Sequence, residues 1–384
     1  MATSDRAAAL FRLWRGAGAV FDPRRQNSFD LLRFVAASLV LVDHSFVLTG
    51  RHGVPGPFAY ETPGGFAVAV FFVISGFLVA GSWQREPRLS AFAAKRTLRI
   101  LPAYVAVTAV CALALGPLLS SLPAGEYFRH AQTWSYFKSV TFLELHFSLP
   151  GVFAGNPYPH AVNGSIWTLP IEILMYIVLA ALGRAGGVTR AGVALVAAAL
   201  AILWFGWGPE LLAAPPLFIA VLPATYTVHL ALWFFLGIAF WVWRDRIRYR
   251  ADVAVVLLAF LWGTQGTPVG AFLFHGALPY LVLFCAQAGV GWMNRFGRYG
   301  DFSYGVYLYA FPVQQTLAAA GGAGWPPPVY VAVCFGATLL LAIASWHAVE
   351  RPALRLKWRR AGGVPGAPHD ADLTRRKVGA GGGP

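Results

Sequence analysis

Apolar runs of about 18 residues or more recur along the whole of this 384-residue chain, and a run of that length lets a helix cross the hydrocarbon core of a bilayer. In that core each backbone N–H and C=O needs a partner inside the protein, which leaves helices or a closed barrel. Continuous apolar runs select helices. The fold class expected is therefore all-α, a polytopic transmembrane bundle of about ten helices. The spans fall at 28–49, 65–83, 100–121, 166–183, 192–208, 226–243, 252–264, 269–289, 300–319 and 328–347, the seventh short enough to merge with its neighbour. Helix breakers such as Pro55-Gly56-Pro57, Pro215-Pro216 and Pro326-Pro327-Pro328 stand between spans.

Composition agrees. Only 12% of residues are charged and 57% are hydrophobic, against about a quarter charged in a soluble domain. A net charge of +14 would suggest nucleic acid in a soluble protein, but here the basic residues alternate sides. With the N-terminus placed in the cytosol, all of the 30 Lys and Arg except Arg51, Arg129 and Lys138 fall in cytosolic segments or at their edges. That is the positive-inside pattern, and it puts both termini in the cytosol and argues against a nucleic-acid partner. Cys111, Cys285 and Cys334 lie in apolar runs without ligand spacing. No metal-ligand cluster, phosphate-binding glycine loop or cleavable signal peptide is evident. The chain divides into 1–26, a cytosolic or interfacial segment; 27–352, the transmembrane domain; and 353–384, a basic, mostly disordered cytosolic tail. Residues 7–15 fit either a short interfacial helix or a frayed end.

An ionisable side chain within the bilayer costs about 2.5–3.5 kcal/mol on insertion scales, which makes each one a functional candidate. Arg33, His44, Glu172 and Asp43 qualify. Arg33 and His44 are eleven residues apart, about 20° past three turns and about 16 Å along one helical face. A cation at the cytosolic edge and a deeper imidazole, the usual general base, thus share a stripe. The competing reading is a buried His bonded to a carbonyl and an Arg snorkelling to headgroups. Asp43 is turned about 100° from His44, the rotation of one helical residue, and is free to pair with another helix.

Glu172 and Tyr176 are four residues apart and share a face. Trp167 stands near the interface, and Pro170 suits a first helical turn. Glu172 could orient His44 or be locked to another span. Ser75-Gly76 reads as a close-packing site more readily than as a nucleophile. Arg96 and Arg99 lie on neighbouring positions of one face, where two guanidinium forks could hold phosphates or simply carry the inside charge. Asn163-Gly-Ser165 matches a glycosylation sequon, a motif with many false positives. Segment 122–165, with His130, His146 and His160, suits a re-entrant stretch or an acceptor-binding cap.

From Asn27 to Pro352 the chain resembles the membrane-bound acyltransferase-3 family. The resemblance rests on Ser28–Ala37 with Arg33 and His44 at the family's Arg-x10-His spacing, Phe71–Phe77, Arg96-Thr-Leu-Arg99, Ser165–Glu172, Ser303-Tyr304 with Tyr307-Leu308, and Glu350-Arg-Pro352. It implies transfer of an acyl group, commonly acetyl, from cytosolic acyl-CoA as co-substrate to an extracytoplasmic sugar, polysaccharide or glycolipid hydroxyl, in the bacterial inner membrane and with no tightly bound cofactor. It implies His44, Glu172 and Arg33 as catalytic residues and Arg96 and Arg99 as the CoA contacts. Asp43, Ser75, Trp167, Tyr176 and Tyr307 are supporting candidates. Ala310 departs from the pattern, standing where a His is common. Outside that resemblance the rivals are a transporter or flippase of a glycolipid or small polyketide, and a scaffold. Oligomeric state has no signal in the sequence.

Overall fold

The computed structural model describes residues 20–21, 27–54, 56–57, 59–213, 218–219, 222–288 and 292–360. The segments at 7–15 and 361–384 lie outside them. Ten long helices follow one another: α1 Phe29–Leu48, α2 Pro63–Arg85, α3 Leu89–Leu119, α4 Leu169–Arg184, α5 Arg190–Gly206, α6 Ala224–Val242, α7 Ala251–Gly263, α8 Pro268–Ala288, α9 Ser303–Ala319 and α10 Pro327–Ser345. Seven of them, α1 to α4, α6, α8 and α10 with its continuation, are long and apolar enough to cross a membrane, and α5 and α7 are shorter apolar helices. Phe218–Ile219 and Leu222–Pro223 form a two-residue antiparallel pair before α6. The protein is thus an all-helical, polytopic membrane protein.

Two boundaries differ from expectation. α3 begins at Leu89, about eleven residues before the expected start at 100. Its first turns are too polar to read as a span, yet Phe92 is buried against Trp83 and Arg88 and Lys95 both pair with Glu86. Arg96 and Arg99 therefore ride inside the helix rather than ahead of it. At the other end, α10 runs on through a π turn, Trp346–Glu350, into Arg351–Arg360.

Helices α2 and α6 pack backbone to backbone. A Cβ on Gly76 would sit 2.0 Å from the Phe234 carbonyl oxygen, and one on Gly237 would sit 2.2 Å from that of Val73. Small residues facing each other permit this approach. Gly76 bears out the close-packing reading, while its neighbour Ser75 is turned the other way.

Helices α1 and α9 are joined by polar groups. Gln314 donates to the Leu41 carbonyl at 2.7 Å and to Ser45 at 2.7 Å. Pro312 has no N–H, so the carbonyl of Leu308 one turn earlier loses its helical donor. Asn163 Nδ2 donates to that carbonyl at 3.0 Å. Asn163 is only 1% exposed, so the sequon match is an interior bond and not a glycosylation site.

Segment 120–163 covers the end of the bundle opposite the arginine-rich one. Two short helices, Ala124–Arg129 and Ala131–Ser135, lead into irregular chain pinned by bridges Ser120 to Val152 and Ser148 to Ala161. Tyr127 donates to the Ala112 carbonyl at 2.8 Å, within a π turn of α3. Gln315 donates to the Tyr158 and Ala161 carbonyls at 2.8 and 2.7 Å. These bonds satisfy irregular backbone against protein, the condition for such chain at a membrane face. His130 accepts from the Gln132 N–H and His146 bonds to Glu144, so both serve the cap's own turns. His160 takes a left-handed φ of 67°.

Candidate active site

A cavity of about 130 Å³ runs into the bundle between α1, α2, α3, α4 and α9. At the arginine-rich end its wall is Arg33, Arg96 and Arg99. At its inner end stand Ser75, Thr168, Glu172, Tyr176 and Tyr307, with Phe71, Phe72 and Leu78 as apolar wall. Seven of the sequence candidates thus line one cavity although they come from five helices.

The helical periodicities place them. Glu172 and Tyr176, one turn apart on α4, both face the cavity, and the Tyr176 hydroxyl donates to Glu172 Oε1. Ser75 donates to the same oxygen at 3.4 Å and lies 3.1 Å from the Tyr176 hydroxyl. Two hydroxyls therefore converge on one carboxylate oxygen. Tyr307 donates to the Ser165 carbonyl at 2.7 Å and lies 2.7 Å from Thr168 Oγ1. It ties α9 to the short 3₁₀ stretch Gly164–Thr168 that precedes α4.

The arginines differ from one another. Arg33 bonds Asp30 at 2.8 Å and Asp301 at 3.2 Å. Arg99 bonds the same Asp301 oxygen at 2.5 Å. The Asp301 side chain is 11% exposed, and its other oxygen accepts from the Ser303 N–H at 3.2 Å and from the Ser303 hydroxyl, anchoring it at the start of α9. Charge-assisted bonds of this kind are roughly twice as strong as neutral ones. Arg33 is thus held by two carboxylates. Arg96 lies beside the rings of Phe92 and Tyr176 at 5.9 and 5.7 Å, and its buried Nε has no hydrogen-bond partner. Asp301 and Asp30 were not among the sequence candidates. Asp301 leaves a faint trace, an acidic residue two before a helix start on the basic side of the bundle.

His44 is set apart. α1 is one unbroken helix, so Arg33 and His44 do share its face, but Arg33 lines the cavity and His44 does not. The imidazole meets the edge of Phe311 at 5.4 Å, and its buried Nδ1 has no hydrogen-bond partner. Tyr307, which packs edge-on against Phe71 at 5.8 Å, is one turn below Phe311 on α9. Tyr307 is the last cavity-lining residue on α9, and the Phe311 that His44 touches follows it one turn further on. Glu172 bonds Ser75 and Tyr176 rather than His44, so the expected carboxylate–imidazole pair is absent.

Two supporting candidates lie elsewhere. Asp43, 9% exposed, faces the start of α2, where Thr62 donates to it at 3.5 Å; the carboxylate suits the positive end of a helix dipole. Trp167 packs on Tyr226 at 5.2 Å. Ala310 is buried in a small apolar cluster with Leu41, Tyr330 and Cys334. Among the described residues no group of three or more His, Cys, Asp or Glu could hold a metal ion.

A cavity walled by guanidinium groups and lined by hydroxyls and a carboxylate suits group transfer to oxygen, and one relative has that chemistry in its name. An "O-acetyl transferase" of Shigella phage Sf6 is 30% identical over 341 residues, 85% of this chain and 96% of the relative. "Nodulation protein 10" of Rhizobium leguminosarum bv. viciae is 32% identical over 361 residues, 86% of this chain and 94% of the relative. "Exopolysaccharide production protein ExoZ" of Rhizobium meliloti (strain 1021) is 28% identical over 342 residues, 81% and 94%. No solved structure matches. Residues 26–347 match the acyltransferase-domain family. The chain belongs to that family, acyltransferase-3, and is a membrane-bound O-acyltransferase.

Proposed function

We propose that this enzyme, in the bacterial inner membrane with both termini cytosolic, moves an acetyl or similarly short acyl group from cytosolic acyl-CoA to a hydroxyl of an extracytoplasmic sugar, polysaccharide or glycolipid. The observation that carries this reading is the cavity itself, cationic at the arginine-rich end and lined elsewhere by Tyr307, one turn of α9 before the Phe311 that His44 touches. The charge distribution supports a cytosolic position for that end. An acyl-CoA entering there meets guanidinium groups for its phosphates, and the apolar wall suits the pantetheine arm. The acceptor hydroxyl approaches His44 from beneath the 120–163 segment. The Nδ1 without a partner is the group available to take its proton. The hydroxyl oxygen then attacks the thioester carbonyl, the C–S bond breaks, and the proton passes from the imidazole to the CoA thiolate. Glu172, Tyr176 and Ser75 orient the carbonyl end of the donor. Tyr307 and Phe71 stand between donor and imidazole, so the thioester passes them for transfer to occur.

Two relatives whose names speak of an O-acetyl transferase and of exopolysaccharide production support this acceptor class. Mass spectrometry of surface glycans and glycolipids from a deletion strain tests it. A lost increment of one acyl group, restored by the wild-type gene and not by His44→Ala, is the expected result. Unchanged glycans with altered glycolipid transport would favour a flippase instead.

A further inference from the structure

The three cavity arginines are not equivalent, and the difference has a single source. One oxygen of Asp301 receives both Arg33 Nη1, at 3.2 Å, and Arg99 Nη2, at 2.5 Å, while the other oxygen is tied to Ser303 at the start of α9. The carboxylate thus joins α1, α3 and the start of α9 beside the cavity that Arg33, Arg99 and Ser303 line. An anionic ligand competing for Arg33 or Arg99 would have to displace an anion that the chain itself holds in place. Arg96 lies one turn from Arg99 on α3 and lines the same cavity; its Nε, like that of Arg33, is buried without a hydrogen bond, but unlike Arg33 and Arg99 it has no ion-pair partner among the described residues. A half-buried guanidinium held only by two ring faces is the one prepared to accept a new anion.

We propose that Asp301 is a positioning residue that locks Arg33 and Arg99 into the cavity wall, and that Arg96 is the guanidinium that takes a phosphate of the donor. This division of labour rests on the acyl-CoA reading above and refines it. Arg33 and Arg99 then shape the passage toward Glu172 and His44, and their charges are largely balanced. Arg96 supplies donor affinity.

The test uses the full chain, purified in nanodiscs, with acetyl-CoA as donor and a membrane glycolipid extract of the source cells supplying acceptors. Thiol release gives kcat and the KM for acetyl-CoA, and calorimetry with CoA reads binding without turnover. Arg96→Gln is expected to raise KM and weaken CoA binding about tenfold, the scale of one charge-assisted hydrogen bond, with kcat within about threefold of wild type. Asp301→Asn keeps the acceptor oxygen for the Ser303 N–H but frees both arginines. It is expected to lower kcat about tenfold without raising KM, because the wall becomes more cationic while its shape is lost. Asp301→Glu, which keeps the charge and alters the cap, is expected to recover part of that loss. A helix-capping role alone predicts the reverse order, Asn near wild type and Glu impaired. Arg99→Gln combined with Asp301→Asn is expected to cost little more than either change alone. Equal KM effects at Arg96 and Arg99, or an Asp301→Asn variant like wild type, would overturn the division of roles alone. Wild-type protein that neither binds CoA nor releases thiol would overturn the functional reading and this one with it.

Discussion

The two halves of the bundle solve the problem of polar groups in an apolar medium in opposite ways. Toward the arginine-rich end, Arg33, Arg99, Asp30 and Asp301 are gathered into one ionic network open to a cavity. Toward the other end, His44 stands beside Phe311, under a segment tied to α9 through Gln315 and Asn163. On the proposed function, the ionic half is the one that receives an anionic donor, and the half that holds His44 is the one where the acceptor hydroxyl gives up its proton. The Phe71–Tyr307 ring pair stands between the arginines and the Phe311 ring that His44 touches.

That contrast makes the halves separable by experiment. The largest effect is expected from His44→Ala, which removes the base from the His44 half. Acyl transfer should fall about 10²-fold or more, the range for a general base, while CoA affinity in the other half stays at the wild-type value. Glu172→Gln comes next. It keeps the shape but weakens the carboxylate bonds to Ser75 and Tyr176, and a loss of roughly tenfold in kcat is expected from bonds to a charged group, read by the same thiol assay. Raising salt from about 0.05 to 0.5 M should weaken CoA binding by a fewfold, since donor docking is ionic and partly exposed to solvent, and should leave the melting temperature nearly unchanged, because the Asp301 network is largely enclosed.

The smallest effect lies at the far end. Glu61, just before α2, has its carboxyl pushed up to about 7 by burial and stands 3.4 Å from His229. A carboxyl raised in the folded state holds a proton that the unfolded chain has given up above its ordinary value near 4.5. Its folding therefore weakens as pH rises from about 4.5 to about 7 and levels off above. Glu61→Gln has no such slope. Its melting temperature relative to wild type should climb between pH 5 and pH 8, with activity per folded molecule unaltered.

Much of this was legible in the chain. Span order followed from apolar runs, and the 3.6-residue period put Glu172 and Tyr176 on one face and Arg33 and His44 on another. The close approach at Gly76 followed from a small residue in an apolar helix. Local spacing could not reach the rest. Asp301 meets Arg33 across 268 residues of chain, and no pattern within one helix announces such a partner. Ser75 seemed subordinate to Gly76, because which side of α2 faces a cavity depends on where α4 packs. The shared stripe of Arg33 and His44 on α1 says nothing about the aromatic rings of α2 and α9 that stand between them. The start of α3 was read late because ion pairs with Glu86 stabilise a first stretch that hydropathy discounts.

The account stands on donor and base lying in separate, communicating compartments. Thiol release from acetyl-CoA by purified wild-type and His44→Ala protein, with CoA binding measured on the same samples, addresses this. The prediction is acceptor-dependent release by the wild type and its loss in the variant, with binding intact. Release at the wild-type rate by His44→Ala, or binding lost together with release, would contradict it.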